Sequence, residues 1–305
     1  MNKPVSPVVI IGCGDIGTQV AQFYLDQGVA VHGLVRSIES VKRLQSLGIS
    51  TSQADLSASF KLDFNVEKSQ LYYFAPPPAQ GTEDIHTSHL LAAMQSAGQS
   101  PSRIVYISTT GVYGDCQGRW ISEDEPVKPE ADRARRRLDA EIQLSEWTRQ
   151  SDTEIIILRV AGIYGPGKLP LARLRKGLPV IRESEAPFTN RIHSADLVKM
   201  AITAMQRGHN RAIYHACDGH PGTMTDYFKQ VARKAGLPPP TEISLAEGEK
   251  SLSAGMMSYM RESRRLSNTK TLRELDLKLA YPSLQEGLQH CGLKPADSCD
   301  CPASQ

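Results

Sequence analysis

The sequence predicts an α/β fold, a doubly wound parallel sheet followed by a smaller, irregular C-terminal lobe. Three observations carry this prediction. Residues 8–17, VVIIGCGDIG, join a β-branched run to a glycine-rich turn, which is typical of a buried strand that leads into a helix. Strand and helix patterns then alternate through the first half of the chain. Past Gly165 the pattern loosens into proline- and glycine-rich loops with short helices.

Each element has its own local signal. Apolar runs bounded by turn residues predict strands at 8–11, 30–35, 49–53, 71–75, 104–108, 154–160 and 213–216. Helical patterns lie at 15–27, 39–47, 82–97, 129–150 and 224–235. We expect residues 1–165 to form the sheet domain, completed by the strand near 213–216. Residues 166–305 are expected to form a substrate-binding lobe over the carboxyl ends of the strands, where open α/β sheets bind ligands.

The turn Gly12-Cys13-Gly14-Asp15-Ile16-Gly17 has the G-x-G-x-x-G spacing of a dinucleotide site in a Rossmann fold. Gly12 allows the tight turn, Gly14 lets the backbone approach a pyrophosphate, and Gly17 lets helix and strand pack closely. The helix N-terminus offers free N–H groups to the phosphates. We therefore expect the whole turn, with Asp15 and Ile16, to bind NAD or NADP.

Arg36 ends the second predicted strand, where NAD-preferring folds carry Asp or Glu for the ribose 2′-hydroxyl. An arginine suits a 2′-phosphate, which favours NADP over NAD. The alternative is a solvated surface arginine. The prolines at 76–78 stiffen the loop after the fourth strand, and we expect Ala75 and Pro76 to contact the cofactor through the backbone.

The bulk composition excludes several classes of protein. A net charge of +2 falls short of the strongly basic balance of a nucleic-acid binder. No apolar run reaches the roughly 18 residues of a membrane span, and the short start before the first strand leaves no room for a signal peptide, so we expect a cytoplasmic protein. Six cysteines do not make a disulfide scaffold. His290, Cys291, Cys299 and Cys301 match no zinc spacing, and no metal site is predicted.

Several motifs, in order along nearly the whole chain, resemble extended short-chain dehydrogenases/reductases of the NAD-dependent epimerase/dehydratase family. They are the segments STTGVYG at 108–114, RVAGIYGPG at 159–167, NRIHSADL at 190–197, and SN, YPS and EGL at 267–268, 281–283 and 286–288. The resemblance implies a Rossmann sheet, a nicotinamide cofactor and a hydride-transfer site. It further implies that Asp55, after the third strand, caps the adenine, and that His193 stabilises the lobe.

In this family a Ser or Thr, a Tyr and a Lys carry out the chemistry. The first carries over onto Thr109. The Tyr-x-x-x-Lys pair falls on Arg133 and Arg137, and no tyrosine lies between Tyr113 and Tyr164. Arginine keeps its proton and cannot act as the acid, although Arg137 can still hydrogen-bond the ribose.

The arginines of residues 133–137 allow two interpretations. Guanidinium groups over the pocket would suit an anionic small-molecule ligand, whereas the alternative is that they solvate one helix face. Tyr113 and Tyr164 are weaker candidates for the missing acid, since such tyrosines mainly shape the pocket.

Two functions follow from these residues. The first is an NAD(P)-binding oxidoreductase or epimerase with an atypical active site, acting on a small or nucleotide-linked substrate. The alternative is a non-catalytic NADP(H) sensor. Neither a nucleic-acid nor a membrane partner is expected, and a homodimer is compatible with the sequence.

Overall fold

The computed structural model describes residues 6–293. The strands there are β1 Val8–Ile11, β2 Val31–Val35, β3 Ser50–Gln53, β4 Gln70–Tyr73, β5 Arg103–Thr109, β6 Trp120–Ile121, β7 Glu154–Val160, β8 Gly162–Tyr164, β9 Val180–Ile181, β10 Phe188–Thr189, β11 Arg191–His193, β12 Ile213–Ala216, β13 Gly222–Thr223, β14 Glu242–Ile243 and β15 Arg265–Leu266. The helices are α1 Asp15–Leu25, α2 Ile38–Gln45, α3 Ile85–Ala97, α4 Asp132–Arg149, α5 Leu171–Arg175, α6 Ser194–Arg207, α7 Met224–Lys234, α8 Leu245–Ser251, α9 Ala254–Met260, α10 Thr269–Glu274 and α11 Leu284–Gln289.

Seven strands form one parallel sheet in the order β12-β7-β5-β4-β1-β2-β3, which confirms the predicted fold class. All four residues of β1 are buried, as expected for a strand covered on both faces. β1 pairs with β2 on one side and with β4 on the other. The chain order reverses there, and such a switch point opens a crevice at the carboxyl ends of the strands.

Helices cover both faces of this sheet. On one face Val20 and Ala21 of α1 pack with Met200 and Ala201 of α6. On the other face the apolar sides of α3 and α4 pack against the sheet, with Leu90 and Leu144 buried. Helix α6 lies within residues 166–305 but packs on the sheet. Residues 166–305 therefore contribute a helix to one face of the sheet as well as forming the lobe.

The predicted elements agree with the structure within three residues at every boundary. The largest shifts are the starts of α3 and α4. Helix α3 begins at Ile85 because the Asp84 side chain caps it, accepting a hydrogen bond from the Thr87 backbone at 3.2 Å. Helix α6 has no counterpart among the helices predicted from the sequence.

The lobe is built from α7, α5 and α11 around a second apolar core that includes Phe228 and Val231. Short two-stranded pairs connect it to the sheet. The pair β8–β11 sets Gly162 beside Arg191 in parallel register. This pair continues directly from β7, so it brings lobe side chains to the carboxyl end of the sheet.

Candidate functional site

The glycine-rich turn between β1 and α1 packs tightly against the end of β4. Gly12 has φ +83°, and a Cβ there would lie 2.4 Å from the Ala75 nitrogen, so only glycine fits. A Cβ on Gly17 would lie 3.0 Å from Cγ2 of Ile10 in β1. At Gly14 the nearest atom to an added Cβ is the Gly12 carbonyl oxygen, 4.0 Å away. Space is therefore open above Gly14, where α1 begins.

A cavity of about 430 Å³ opens from this turn across the carboxyl ends of β1, β2 and β4. We call it the turn cavity. Its lining contains the predicted cofactor residues Gly12, Gly14, Arg36, Asp55, Ala75 and Pro76, together with Cys13, Leu34, Val35, Ser37, Ser40, Ala54, Leu56, Phe74 and His86. The other predicted residues of the turn do not line it. Ile16 packs against the core, and the Asp15 carboxylate pairs with Lys168 Nζ at 2.9 Å.

One arginine, two serines and one carboxylate lie at the far end of the turn cavity. The Arg36 side chain is exposed, and it has no carboxylate within 4.0 Å in the described part of the chain. Ser37 and Ser40 add hydroxyl groups beside it. The Asp55 carboxylate accepts a hydrogen bond from the Ser57 backbone at 2.9 Å, and this bond lowers the pKa of Asp55.

A second cavity, of about 590 Å³, lies at the carboxyl ends of β5 and β7, and the lobe closes it. We call it the arginine cavity. Four arginines and one carboxylate are its charged lining groups: Arg133, Arg137, Arg191, Arg264 and Glu262. The two cavities border the same stretch of chain, because Ala75 and Pro76 line the first and Pro77 lines the second; we call this stretch their junction.

Arg137 lies at this junction, where the resemblance places the family's lysine. Its Nη1 donates to the Ala75 carbonyl oxygen and to the Tyr106 hydroxyl, both at 3.2 Å. Both partners are neutral, because burial raises the pKa of Tyr106 to about 12. The guanidinium therefore keeps a net positive charge at the edge of the arginine cavity.

Arg133 lies one turn earlier on α4, and its charge is already engaged. Its Nη1 donates to Ser258 Oγ at 2.6 Å, and its Nη2 lies 3.7 Å from Glu262 Oε1. Its guanidinium carbon stacks 3.9 Å from the centre of the Tyr259 ring. The arginine thus ties α4 to the lobe.

The two neighbouring arginines take other roles. Arg136 is buried and donates to the Gly81 carbonyl oxygen. Only Arg135 matches the alternative of a solvated helix face, since it is exposed and pairs with Asp132 at 3.1 Å.

Thr109 ends β5 and lines the arginine cavity. Its Oγ1 accepts a hydrogen bond from the Gly111 backbone at 3.2 Å, which leaves its own O–H free to donate. The preceding Ser108 donates to Glu141, and Glu141 forms a buried ion pair with Arg159 at 2.8 Å. This pair fixes α4, and with it Arg137, against β5 and β7.

The other candidate acids point away from both cavities. The Tyr113 hydroxyl lies 2.6 Å from Nε2 of the buried His215, and burial raises the pKa of Tyr113 to about 12. The Tyr164 hydroxyl donates to the Ser283 carbonyl oxygen at 3.2 Å. His193 caps α6, its Nδ1 accepting from the Ala195 backbone at 3.2 Å. The three side chains therefore hold the fold.

Sequence reasoning missed three charged groups of the arginine cavity. Arg191, Arg264 and Glu262 come from the lobe, where no periodic pattern predicts a shared site. Arg191 stands in the segment NRIHSADL, which carried a resemblance but no role for this residue.

Among residues 6–293, no cluster of three or more His, Cys, Asp or Glu residues has metal-binding geometry. Cys291 is buried, while Cys299 and Cys301 lie outside the described residues. The helices in this range include none with the length and apolar character to cross a membrane.

Comparisons with known proteins agree with this geometry. A model of the NAD dependent epimerase/dehydratase family matches residues 8–217. The curated protein YeeZ of Escherichia coli K12 is 27% identical over 245 residues, which span 76% of this chain and 85% of YeeZ.

Solved structures extend the likeness to the lobe. A functionally unknown conserved protein from Silicibacter pomeroyi superposes with a TM-score of 0.81 at 26% identity, covering 94% of this chain and 98% of that one. UDP-glucuronic acid 4-epimerase from Bacillus cereus, solved with UDP-glucuronic acid and NAD, gives 0.72 at 19% identity, covering 93% and 97%. The second likeness shows the fold alone.

Proposed function

Because the chain belongs to the NAD dependent epimerase/dehydratase family, we propose that it is an NADP(H)-dependent oxidoreductase. The cofactor lies in the turn cavity, and a small-molecule carbonyl or alcohol lies in the arginine cavity. One observation carries this proposal: residues 75–77 border both cavities, and Arg137 of the arginine cavity donates to the Ala75 carbonyl oxygen of the turn cavity. The proposal places the hydride donor and its acceptor on either side of this stretch.

The chain's own residues fit the cofactor. The open space above Gly14 and the N-terminus of α1 suit the pyrophosphate. Arg36, with the Ser37 and Ser40 hydroxyls, suits a 2′-phosphate. Asp55, Ala75 and Pro76 border the same cavity. When bound, the nicotinamide supplies or accepts the hydride.

Thr109 and Arg137 act on the reacting oxygen of the substrate. The free Thr109 hydroxyl orients that oxygen, and the Arg137 guanidinium stabilises the negative charge that develops on it during carbonyl reduction. Arg137 stays protonated and does not transfer a proton. The proton that completes the alcohol therefore comes from a bound water, directly or through the Thr109 hydroxyl, which takes a proton back from that water, in place of the family's tyrosine.

Transfer of isotope from 4-labelled NADPH to a panel of small carbonyl compounds and 4-keto nucleotide sugars tests the proposal. We expect transfer to at least one substrate, and Arg137→Met should lower kcat about 100-fold, the cost of one lost oxyanion donor. Arg135→Met, at the exposed neighbour, serves as the matched control. The NADPH affinity of Arg135→Met should stay near wild type, whereas Arg137→Met should also lower it about tenfold through loss of the expected ribose hydrogen bond.

The missing tyrosine favours a second candidate, a non-catalytic NADP(H) sensor. Tight NADPH binding without transfer to any member of the panel would contradict the oxidoreductase and favour the sensor. The cytoplasmic location and the homodimer stay predictions from the sequence.

A further inference from the structure

Arg191 is the one cation of the arginine cavity, within residues 6–293, that is both buried and without a carboxylate within 4.0 Å. The residue is only 8% exposed. By contrast, Arg133 and Arg264 share Glu262, at 3.7 and 3.0 Å. Arg137 is half-buried and lies at the cofactor side. Arg191 comes instead from β11 in the lobe.

The surroundings hold the Arg191 guanidinium in one place. Its Nη2 donates to Thr189 Oγ1 at 3.0 Å, and its central carbon lies 4.0 Å from the centre of the Tyr227 ring. Glycine at position 162 makes room for it, because a Cβ there would lie 2.8 Å from Nη1. A planar cation fixed in this way is preorganised for a planar or tetrahedral oxyanion.

The hydrogen-bond partners of Arg191 are all neutral. Besides Thr189, they are the Asn190 carbonyl oxygen and the Met224 sulfur, both at 3.5 Å. Three bonds leave two of the five N–H groups of a guanidinium without an acceptor in the described part of the chain. Arg191 lines the arginine cavity and also borders a smaller cavity of about 220 Å³, which Asp226 lines as well.

Burial outweighs the nearby acidic groups in the electrostatics of Arg191. It lowers the pKa of Arg191, and the opposing effects of Tyr227, Asp218, Tyr164 and Asp226 do not restore it. An arginine nonetheless keeps its proton, so it cannot avoid the free-energy cost of burying a charge by becoming neutral. An isolated buried cation destabilises a fold strongly, and natural chains retain such groups where function needs them.

We propose that Arg191 is the specificity-determining anchor of the arginine cavity and binds a carboxylate or phosphate of the substrate. The substrate class is then a small carbonyl or alcohol compound that carries an oxyanion group away from its reacting carbon. Phe188, Ile163 and Met256 line the same cavity and suit an apolar body between the two ends. That the bound anion is a substrate rests on the proposed function, whereas the anion site itself does not depend on it.

Thermal unfolding with simple anions tests the site without any turnover. Wild type, Arg191→Met and the exposed control Arg135→Met are titrated with inorganic phosphate and with succinate at constant ionic strength. An anion at about 100 times its Kd should raise the wild-type Tm by about 5 °C. We expect the same rise in Arg135→Met. In Arg191→Met, succinate should give no rise beyond the chloride reference, and phosphate should give only the part that Arg36→Asp removes in the turn cavity.

The unliganded proteins give a second readout. If the Arg191 charge destabilises the protein until an anion binds, the Tm of Arg191→Met without anions should equal or exceed the wild-type Tm. A structural arginine would instead lower Tm when removed. Should Arg191→Met fail to fold, two other variants replace it. Arg191→Lys keeps the charge but lacks the planar set of guanidinium donors, and Gly162→Ala displaces the guanidinium. Each should weaken anion binding at least tenfold.

The outcomes separate this inference from the proposed function. Equal anion stabilisation of wild type and Arg191→Met overturns the site, even if the protein reduces carbonyl compounds. Anion stabilisation that depends on Arg191, without any hydride transfer, supports the site and contradicts the oxidoreductase. Where turnover is found, Arg191→Met should raise KM for an anionic substrate at least tenfold and change KM for its neutral ester little. The stronger of phosphate and succinate identifies the anionic group.

Discussion

Gly14→Val should abolish cofactor binding and leave the fold intact, whereas Gly12→Ala should damage the fold itself. At Gly12 the positive φ costs an alanine roughly 1–2 kcal/mol, and the clash with the Ala75 backbone adds about 1–3 kcal/mol. The sum, about 2–5 kcal/mol, corresponds to a fall in Tm of about 5–15 °C. At Gly14 a side chain meets open space, so the valine costs about 1 kcal/mol as a poor helix N-cap.

The binding side of this comparison is larger for Gly14→Val. A valine there would block the backbone N–H groups of the turn from a pyrophosphate. Losing two charge-assisted hydrogen bonds, at about 1.5–3 kcal/mol each, lowers affinity about 10²- to 10⁴-fold. Calorimetric titration with NADPH and urea unfolding of both variants measure the two effects. If Gly14→Val binds NADPH as tightly as wild type, the pyrophosphate does not bind at this turn. If Gly14→Val loses as much stability as Gly12→Ala, there is no open space above Gly14.

Three further predictions concern other charged groups. Arg36→Asp should lower NADPH affinity at least tenfold, the value of a charge-assisted contact of about 1.5–3 kcal/mol, and spare NADH; equal wild-type Kd values for NADH and NADPH in calorimetry would contradict it. Glu141→Ala should cost about 3–5 kcal/mol in urea unfolding, because it leaves Arg159 buried and unpaired. Glu125→Ala, which breaks the exposed pair with Arg119, should cost less than about 1 kcal/mol. Burial raises the pKa of Asp218 from 3.8 to about 6, so its ionisation opposes folding: the penalty is absent below pH 3.8, grows up to about pH 6, and is full above it. Asp218→Asn should therefore remove about 3 kcal/mol of the fall in unfolding free energy between pH 3 and pH 8, and an unchanged pH slope would show that Asp218 titrates normally.

The sheet could be predicted from the sequence because its signals are local. Strands buried on both faces must be apolar along their length, as in the run Glu154–Val160, whose bounds the structure reproduces. The glycine turn is also local, since its backbone geometry depends on residues a few positions apart. Helix starts follow no such run of residues, because a single side chain decides them, as the Asp84 cap does for α3.

The arginine cavity shows where such reasoning stops. Arg137 could be placed because the helix and the resemblance fix its face, but its neutral partners come from two other parts of the sheet, Ala75 from just after β4 and Tyr106 from the middle of β5. Arg191 lies far along the chain from both and reaches the cavity only because β11 pairs with β8. The periodicity of a single segment cannot predict a contact between elements that lie far apart in the chain.

The arginines on α4 give one physical account of the departure from the family's pattern. Arg133 pairs with Glu262 and stacks on the Tyr259 ring, so it stabilises the lobe at the position where the family's tyrosine would act as the acid. Arg137 keeps its charge free at the junction of the cavities, because its partners Ala75 and Tyr106 are neutral. A fixed cation stabilises an oxyanion at every pH that the fold tolerates, whereas a tyrosine–lysine pair depends on an ionisation. Under the proposed function, the exchange gives up the tyrosine acid and keeps electrostatic stabilisation, and the proton for carbonyl reduction then comes from water, directly or through the Thr109 hydroxyl.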